Sequence, residues 1–400
     1  MREVLEKQGL RFGAFMAPYH ANLNKSVHLA LHRDLDLVEH LDRLGYDEAW
    51  IGEHHSAGVE VIASPEIFIA AAAERTKHIR FGTGVISLPY HNPLMTADRI
   101  IQLDHQTRGR VMFGFGPGAL PSDVHMIGRA QTELRTNVMQ GFDALLPLLR
   151  GETVSMKTDH WELKDARCHI LPYTRPHPQI FMSSAVSPGG PRIAGTYGLG
   201  LLSATTSSDA AFNALQAAYD IWNDAARQNG QTINRADWRV VGNFHIAETR
   251  EQARANVRHG LGQWLDYFQR VATFPVAKPG AHAATLDEQI DAMIAQHTVI
   301  GTPDDLIARI DKLWEQSNGG FGAILDCAHN WADYPATKRH YELIAEYVIP
   351  HIQRMNDARS RSWDWAEANH LSGMEERDKG VAQEFALWEQ QRKAAELASR

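Results

Sequence analysis

An acid followed by two imidazoles, Glu53-His54-His55, closes the short apolar run Ala49-Trp50-Ile51-Gly52. Such a run reads as a buried strand, so the polar tripeptide stands where a strand hands over to a loop. In sheets whose strands run parallel, that carboxyl end is where ligands sit and chemistry happens. Paired histidines titrate near neutral pH and can donate, accept or ligate, which opens acid/base work to them. The plainer reading is one histidine satisfied in the structure beside one exposed in a loop. No metal is assigned, because the tripeptide lacks a His-x-His spacing and no obvious further ligand strands stand out.

Two further patches carry chemistry. Gly114-Phe115-Gly116-Pro117-Gly118 has the glycine density of a dinucleotide loop, but Pro121 and a long loop follow it rather than an immediate helix. These glycines read better as a tight turn or as a place where backbone approaches a flat ligand. Ser183-Ser184 ends an apolar run and precedes Gly189-Gly190, and hydroxyls beside free backbone amides suit an oxyanion. His20, Tyr90, His329 and Trp331 follow apolar runs and, with Phe115, either line a cavity for a small hydrophobic molecule or simply cover the core. Asp326 stands ready either to support His329 or to cap the next helix.

The elements that must position these residues alternate regularly. Leu10 to Met16 reads as a strand, and Asp34 to Gly45 as a helix with Leu37, Val38, Leu41 and Leu44 on one face and Gly45 as its stop. Trp50 to Gly52 precedes a helix from Pro65 to Arg75; Ile79 to Leu88 precedes one over Met95 to Thr107; Val111 to Gly116 precedes one over Leu134 to Leu149. Gln179 to Ser184, Leu199 to Ala204, Arg239 to Ala247 and Phe321 to Ala328 complete eight strands. That count predicts an α/β protein with a (β/α)8 TIM barrel, an open doubly wound sheet being the alternative. Two insertions interrupt the pattern: Gly151 to Pro178 as a small hairpin with loops, and Phe268 to Thr298 before the helix Asp304 to Gln316, at the barrel mouth, where it is read either as a lid or as a disordered surface loop. The barrel is expected to occupy residues 1–354 and a helical extension 355–400. Val381, Phe385 and Trp388 keep helical spacing there and predict an amphipathic helix packed on the barrel or on a neighbouring subunit, with a solvated tail as the alternative.

Composition bounds the rest. At 400 residues, 44% hydrophobic and 22% charged, the chain has the make-up of a globular protein with a sizeable core. Its apolar stretches, such as Ile67 to Ala73, fall far short of the ~20 residues a bilayer demands, which points to the cytoplasm and no membrane. Cys168 and Cys327 are the only cysteines, so no disulfide framework or cysteine-rich zinc site is available. A net charge of -8 without a basic cluster argues against nucleic acid as a partner.

In order along the chain, several blocks resemble the bacterial luciferase-like flavin-dependent monooxygenases. They are Glu53-His54-His55, Gly82-Thr83-Gly84-Val85-Ile86-Ser87-Leu88-Pro89 with Asn92-Pro93, Leu103-Asp104-His105-Gln106-Thr107-Arg108-Gly109-Arg110 and Gly114-Phe115-Gly116-Pro117-Gly118. The resemblance runs on through Ser183-Ser184 and Val299-Ile300-Gly301-Thr302-Pro303-Asp304 to about residue 354. Within the family, Phe15-Met16-Ala17-Pro18-Tyr19-His20 and His329-Asn330-Trp331-Ala332-Asp333 are most similar to the limonene 1,2-monooxygenase-like subgroup.

The resemblance implies a barrel that receives FMN already reduced, from a separate NAD(P)H-dependent flavin reductase. It implies use of dioxygen to oxygenate a substrate through a flavin hydroperoxide, and apolar walls would suit a terpene-like or other small hydrophobic molecule. His54 matches a histidine that does acid/base work in luciferases, with His55 behind it and Glu53 orienting one of the two rings. Flavin contacts fall to Met16, Gly84, Val85, Gly116 and Gly118, and the phosphate to Ser183 and Ser184. Gly84 and Val85 stand where family members carry a non-prolyl cis peptide against the ring. The chain departs from the luciferase pattern at Gly116, which replaces a reactive cysteine, and after Ser183, where a glutamate is common nearby and Pro188 and Pro191 alter the turn. A homodimer or higher oligomer is also implied. A deazaflavin-dependent oxidoreductase on the same barrel and a noncatalytic flavin-binding protein are the alternatives, and the presence of Glu53, His54 and His55 speaks against the second.

Overall fold

Eight parallel strands pair in chain order and the last closes on the first. In the computed structural model, which describes residues 5–118, 120–185, 187–204, 206–272 and 285–398, they are β1 (Arg11–Met16), β2 (Glu48–Ile51), β3 (Arg80–Thr83), β4 (Val111–Gly116), β5 (Ile180–Ser184), β6 (Gly200–Ser203), β7 (Trp238–Gly242) and β8 (Ala323–Cys327). The closing register sets Arg11 beside Ala323 and Phe15 beside Cys327. Each strand is followed by a helix: α1 (Val27–Leu44), α2 (Pro65–Ala73), α3 (Pro93–Thr107), α4 (Leu134–Leu149), α5 (Gly189–Tyr197), α6 (Leu215–Gln228), α7 (Pro303–Ser317) and α8 (Tyr334–Leu343). The fold is the expected (β/α)8 barrel.

Local chemistry explains where the elements begin and stop. Helix α1 starts seven residues before Asp34, because the Ser26 side chain caps it by accepting from the Leu29 amide. Its first turns are largely exposed and carry no apolar period, so nothing in the pattern marks them. It ends as expected at Gly45, whose φ of 84° is left-handed. The strand expected over Ile79 to Leu88 stops at Thr83, the Gly84–Val85 peptide is cis, and Ile86–Ser87 resumes pairing with β4. The expected seventh strand also divides. The Asn243 amide donates to Ser207 Oγ and the Phe244 amide to Asp326 Oδ1, so side chains take the donors a longer strand needs. Beyond that break Phe244–Ile246 forms a separate parallel pair with Val299–Gly301.

The amino end of the barrel interior is filled. Trp50, Met112, Phe181, Leu202, Val241, Ala323 and Leu325 form one apolar cluster. Beside it the fully buried Arg239 Nη2 donates to Glu48 Oε1 at 2.6 Å, and Trp50 Nε1 donates to Glu48 Oε2 at 2.9 Å. Two charges out of water are stable only when paired and hydrogen-bonded in this way. The carboxyl end is left to the loops.

The first insertion is an antiparallel hairpin of Val154–Lys157 with Glu162–Ala166. Around the second, helices run over Arg250–Val257, Leu261–Arg270 and Leu286–Ala295. Residues 273–284 lie outside the described residues, and with them the core of the expected lid. Residues 353–400 form a second unit, in which α9 (Asp357–Ala398) is a single 42-residue helix with no buried residue. Among the described residues no helix is long and apolar enough to cross a membrane.

Candidate active site

A cavity of ≈ 440 Å³ opens at the carboxyl ends of the strands. Phe15 from β1, Met182, Ser183 and Ser184 from β5, Leu202 from β6, Val241 from β7 and Cys327 from β8 line it. The loops contribute Glu53 and His54 after β2, Gly84 and Val85 after β3, and Pro117 and Gly118 after β4. Trp264 and Phe268 from the helix Leu261–Arg270, with Ala272 just beyond its end, complete an apolar wall.

The three residues of the Glu53 tripeptide do different work. Glu53 Oε1 accepts from His55 Nε2 and from His91 Nε2, both at 2.7 Å, while Oε2 accepts from the Ser87 amide at 2.7 Å. Burial pushes its carboxyl up, but the bonds from His55 and His91 outweigh that and hold it at about 2. The same bond raises His55. Glu53 therefore orients His55 rather than His54, and through Ser87 it ties down the chain just after Val85. His54 is held by its own backbone, whose amide donates to the Ile62 carbonyl, and its Nε2 lies 3.5 Å from Glu60 Oε2. His54 Nδ1 has no hydrogen-bond partner among the described residues. Glu60 in turn accepts from Tyr267 Oη at 2.8 Å. The arrangement can pass a proton between a cavity-lining imidazole and a buried carboxylate.

Another part of the lining has the chemistry that suits an anion. Ser183 and Ser184 end β5 and Gly189-Gly190 open α5, which has no side-chain cap and no acidic residue in its first turn. Uncapped amides at a helix N-terminus favour negative charge. Arg135, at the start of α4, brings its guanidinium against Gly189 so closely that a Cβ there would lie 3.0 Å from Cζ. A Cβ at Gly190 would lie 2.4 Å from the Ser183 carbonyl oxygen, and one at Gly116 would lie 2.3 Å from Ser183 Oγ. Only glycine leaves this cradle open.

Other residues singled out in the sequence lie elsewhere. Met16 is fully buried in the core, and its carbonyl accepts from the Gly52 amide. Phe115 stacks on Phe142 at 4.5 Å in the layer between barrel and helices. His20 Nε2 donates to Asp34 at 2.9 Å on α1. Tyr90 sits against Gly118, with its ring 6.0 Å from that of His55. His329 donates from Nε2 to the Phe244 carbonyl and accepts at Nδ1 from the Trp331 amide, and burial pulls it down to about 3, so it stays neutral. Trp331 is fully buried with its ring 3.6 Å from that of His329. None of these six lines the cavity. Asp326 accepts from His340 Nε2 at 2.8 Å, so the imidazole it supports is His340 and not His329.

Three residues of the site escaped the pattern reading. Glu60 left a signal, being an acid inside the apolar run Val59-Glu60-Val61-Ile62. Arg135 left another, since a cation in the first turn of a helix opposes the macrodipole and needs a separate reason. His91 left none.

The luciferase-like monooxygenase family model matches residues 10–319. Limonene 1,2-monooxygenase of Rhodococcus erythropolis is 47% identical over 343 residues, spanning 85% of this chain and 86% of that protein. 4-hydroxyprotoasukamycin monooxygenase of Streptomyces nodosus subsp. asukaensis is 41% identical over 360 residues, 89% of this chain and 96% of that protein. Among solved structures, the oxygenating constituent of 3,6-diketocamphane monooxygenase from the CAM plasmid of Pseudomonas putida, a type II Baeyer-Villiger monooxygenase in complex with FMN, matches with a TM-score of 0.69 at 25% identity. That match covers 85% of this chain and 98% of the other.

Proposed function

Because the chain belongs to the luciferase-like monooxygenase family and is a flavin-dependent monooxygenase, we propose that it is the oxygenase component of a two-component system. In this reading it takes reduced FMN from a separate NAD(P)H-dependent reductase and uses dioxygen to oxygenate a small hydrophobic, terpene-like molecule. The observation that carries the reading is one cavity whose lining combines two chemically unlike groups, an anion cradle of Arg135, Ser183, Ser184 and the α5 amides, and an apolar wall with His54 beside it. A flavin mononucleotide has that same division between phosphate and ring.

The residues fit the group. Arg135, Ser183, Ser184 and the amides of Gly189 and Gly190 would hold the phosphate, and Gly84, Val85, Gly118 and Met182 would bound the ring. Bound flavin supplies the redox chemistry with dioxygen. The chain's own residues bind, exclude water and move protons. Phe15, Leu202, Val241, Trp264 and Phe268 form a wall that keeps water from the reacting centre. His54 Nδ1, which has no hydrogen-bond partner among the described residues and lies 4.0 Å from Asp123 Oδ2, is the atom placed to give or take a proton, with Glu60 and Tyr267 behind Nε2. These wall residues, rather than His20, Tyr90, Phe115, His329 and Trp331, are the ones we assign to the substrate.

The test is oxygen uptake by the purified chain supplied with chemically reduced FMN or a reduced deazaflavin. We expect rapid uptake and oxygenated product with FMN, and no appreciable NADH oxidation by the chain alone. Hydride transfer from the deazaflavin without oxygen uptake would replace this reading with the oxidoreductase alternative.

A further inference from the structure

Helix α9 carries a period that flavin chemistry does not use. Leu371, Met374, Val381, Phe385 and Trp388 are large, apolar and between 47% and 67% exposed. Their spacings of three, seven, four and three residues are those of the a and d positions of a heptad, with Asp378 and Arg392 at two other a positions and Glu367 at the preceding d. Val381, Phe385 and Trp388 share a shallow groove with Arg377, Gly380 and Glu384, so the C-terminal half of the seam lies on one face, and Asp378 separates it from Leu371 and Met374. An apolar seam of this length on a helix with no buried residue calls for a cover.

We infer that the cover is the same helix of a second copy, running antiparallel about a twofold axis between residues 379 and 380. Charge selects this arrangement. A parallel, in-register pair sets Asp378 on Asp378, Arg392 on Arg392 and Glu384 against Glu389, all like charges. The antiparallel pair sets Leu371 against Trp388 and Met374 against Phe385 of the second copy. On its flanks Arg377 meets Glu384 twice by symmetry, and at its ends Arg392 meets Glu367. Asp378, the acid left near the axis, already lies against the Arg377 guanidinium of its own helix at 2.9 Å. This pairing is independent of the flavin site.

Two measurements on the full chain decide it. Sedimentation should show self-association that Arg377→Glu weakens at least tenfold and that Arg377→Glu with Glu384→Arg restores; both positions are exposed, so folding is not at stake. A spin label carried by a noncanonical amino acid at Lys393 should report two labels about 40 Å apart, since the axis places 27 residues of 1.5 Å rise between them. A label separation near the ~10 Å of neighbouring helices, which a parallel pair gives, overturns the inference. So does the absence of an ordered Lys393 distance in a dimer held by other surfaces, or an Arg377→Glu protein that associates like the parent.

Discussion

Glu53→Gln keeps the size of the side chain and the acceptor for the Ser87 amide, and removes the charge that His55 and His91 share. The carboxyl lies at about 2 instead of 4.5, a difference of 2.5 units. At 1.36 kcal/mol per unit the charge contributes roughly 3 kcal/mol to folding. The sign follows from the two partners. A depressed carboxyl stabilises fully above its ordinary value near 4.5, and that stabilisation drains away as the pH falls towards 2. His55, raised by the same bond, adds stabilisation below its ordinary 6.5 that fades as the pH climbs through its raised value. The cost of Glu53→Gln is therefore greatest between about pH 4.5 and 6.5, smaller at about pH 9, and nearly gone at about pH 2. Urea unfolding of parent and variant at these values reads the difference directly. A cost that is flat across the series, or below about 1 kcal/mol at pH 5.5, would show that the shared charge is not what holds the loop. FMN affinity should change less than stability, because the bond to Ser87 survives.

Arg135→Ala should lower FMN affinity by roughly 10- to 100-fold while leaving riboflavin binding unchanged, since a charge-assisted bond to a phosphate is what it removes; fluorescence titration with the two flavins checks this. His54→Ala should retain flavin and lose ~10²–10⁴-fold in product formation, and a variant that oxygenates at the parental rate makes His54 structural. In Gly116→Ala the added methyl meets Ser183 Oγ at 2.3 Å and Val85 Cγ2 at 3.0 Å. We expect a loss of about 1–3 kcal/mol in stability and a weakened flavin complex, read by thermal unfolding with and without FMN.

The barrel was legible because each strand is an apolar run and most helices carry an apolar period, and both signals come from burial. Where burial is missing the signal is missing too, as in the exposed first turns of α1. The split of β7 depended on Ser207 and Asp326, 36 and 82 residues away from the amides they take, and no local pattern records that. Of the residues read as flavin contacts, Gly84, Val85, Gly118, Ser183 and Ser184 line the cavity, where glycine is set by close approach, and Met16 and Gly116 do not. The residues read as substrate contacts lie off the cavity, and for Phe115 the reason is geometric. Neighbouring side chains on a strand face opposite sides. Gly114 and Gly116 face inward against Trp50 and Ser183, so Phe115 between them must face the helices, where it meets Phe142. The same alternation puts Phe15 in the cavity and Met16 in the core. Glu53 lines the cavity, but which rings it holds depended on His91 arriving from another loop.

Cys327 stands at the end of β8 on the cavity wall. Burial pushes its thiol well above the ordinary cysteine range, and the negative charges of Asp326 and Glu60 push the same way. The form of sulfur that attacks oxidants is the thiolate, and its population falls tenfold for every unit of that rise. An enzyme that brings dioxygen and reducing equivalents into one chamber exposes its own walls to whatever oxidant escapes. Keeping the one sulfhydryl there protonated makes the protein a poor target for its own by-products, and so lengthens the working life of each copy.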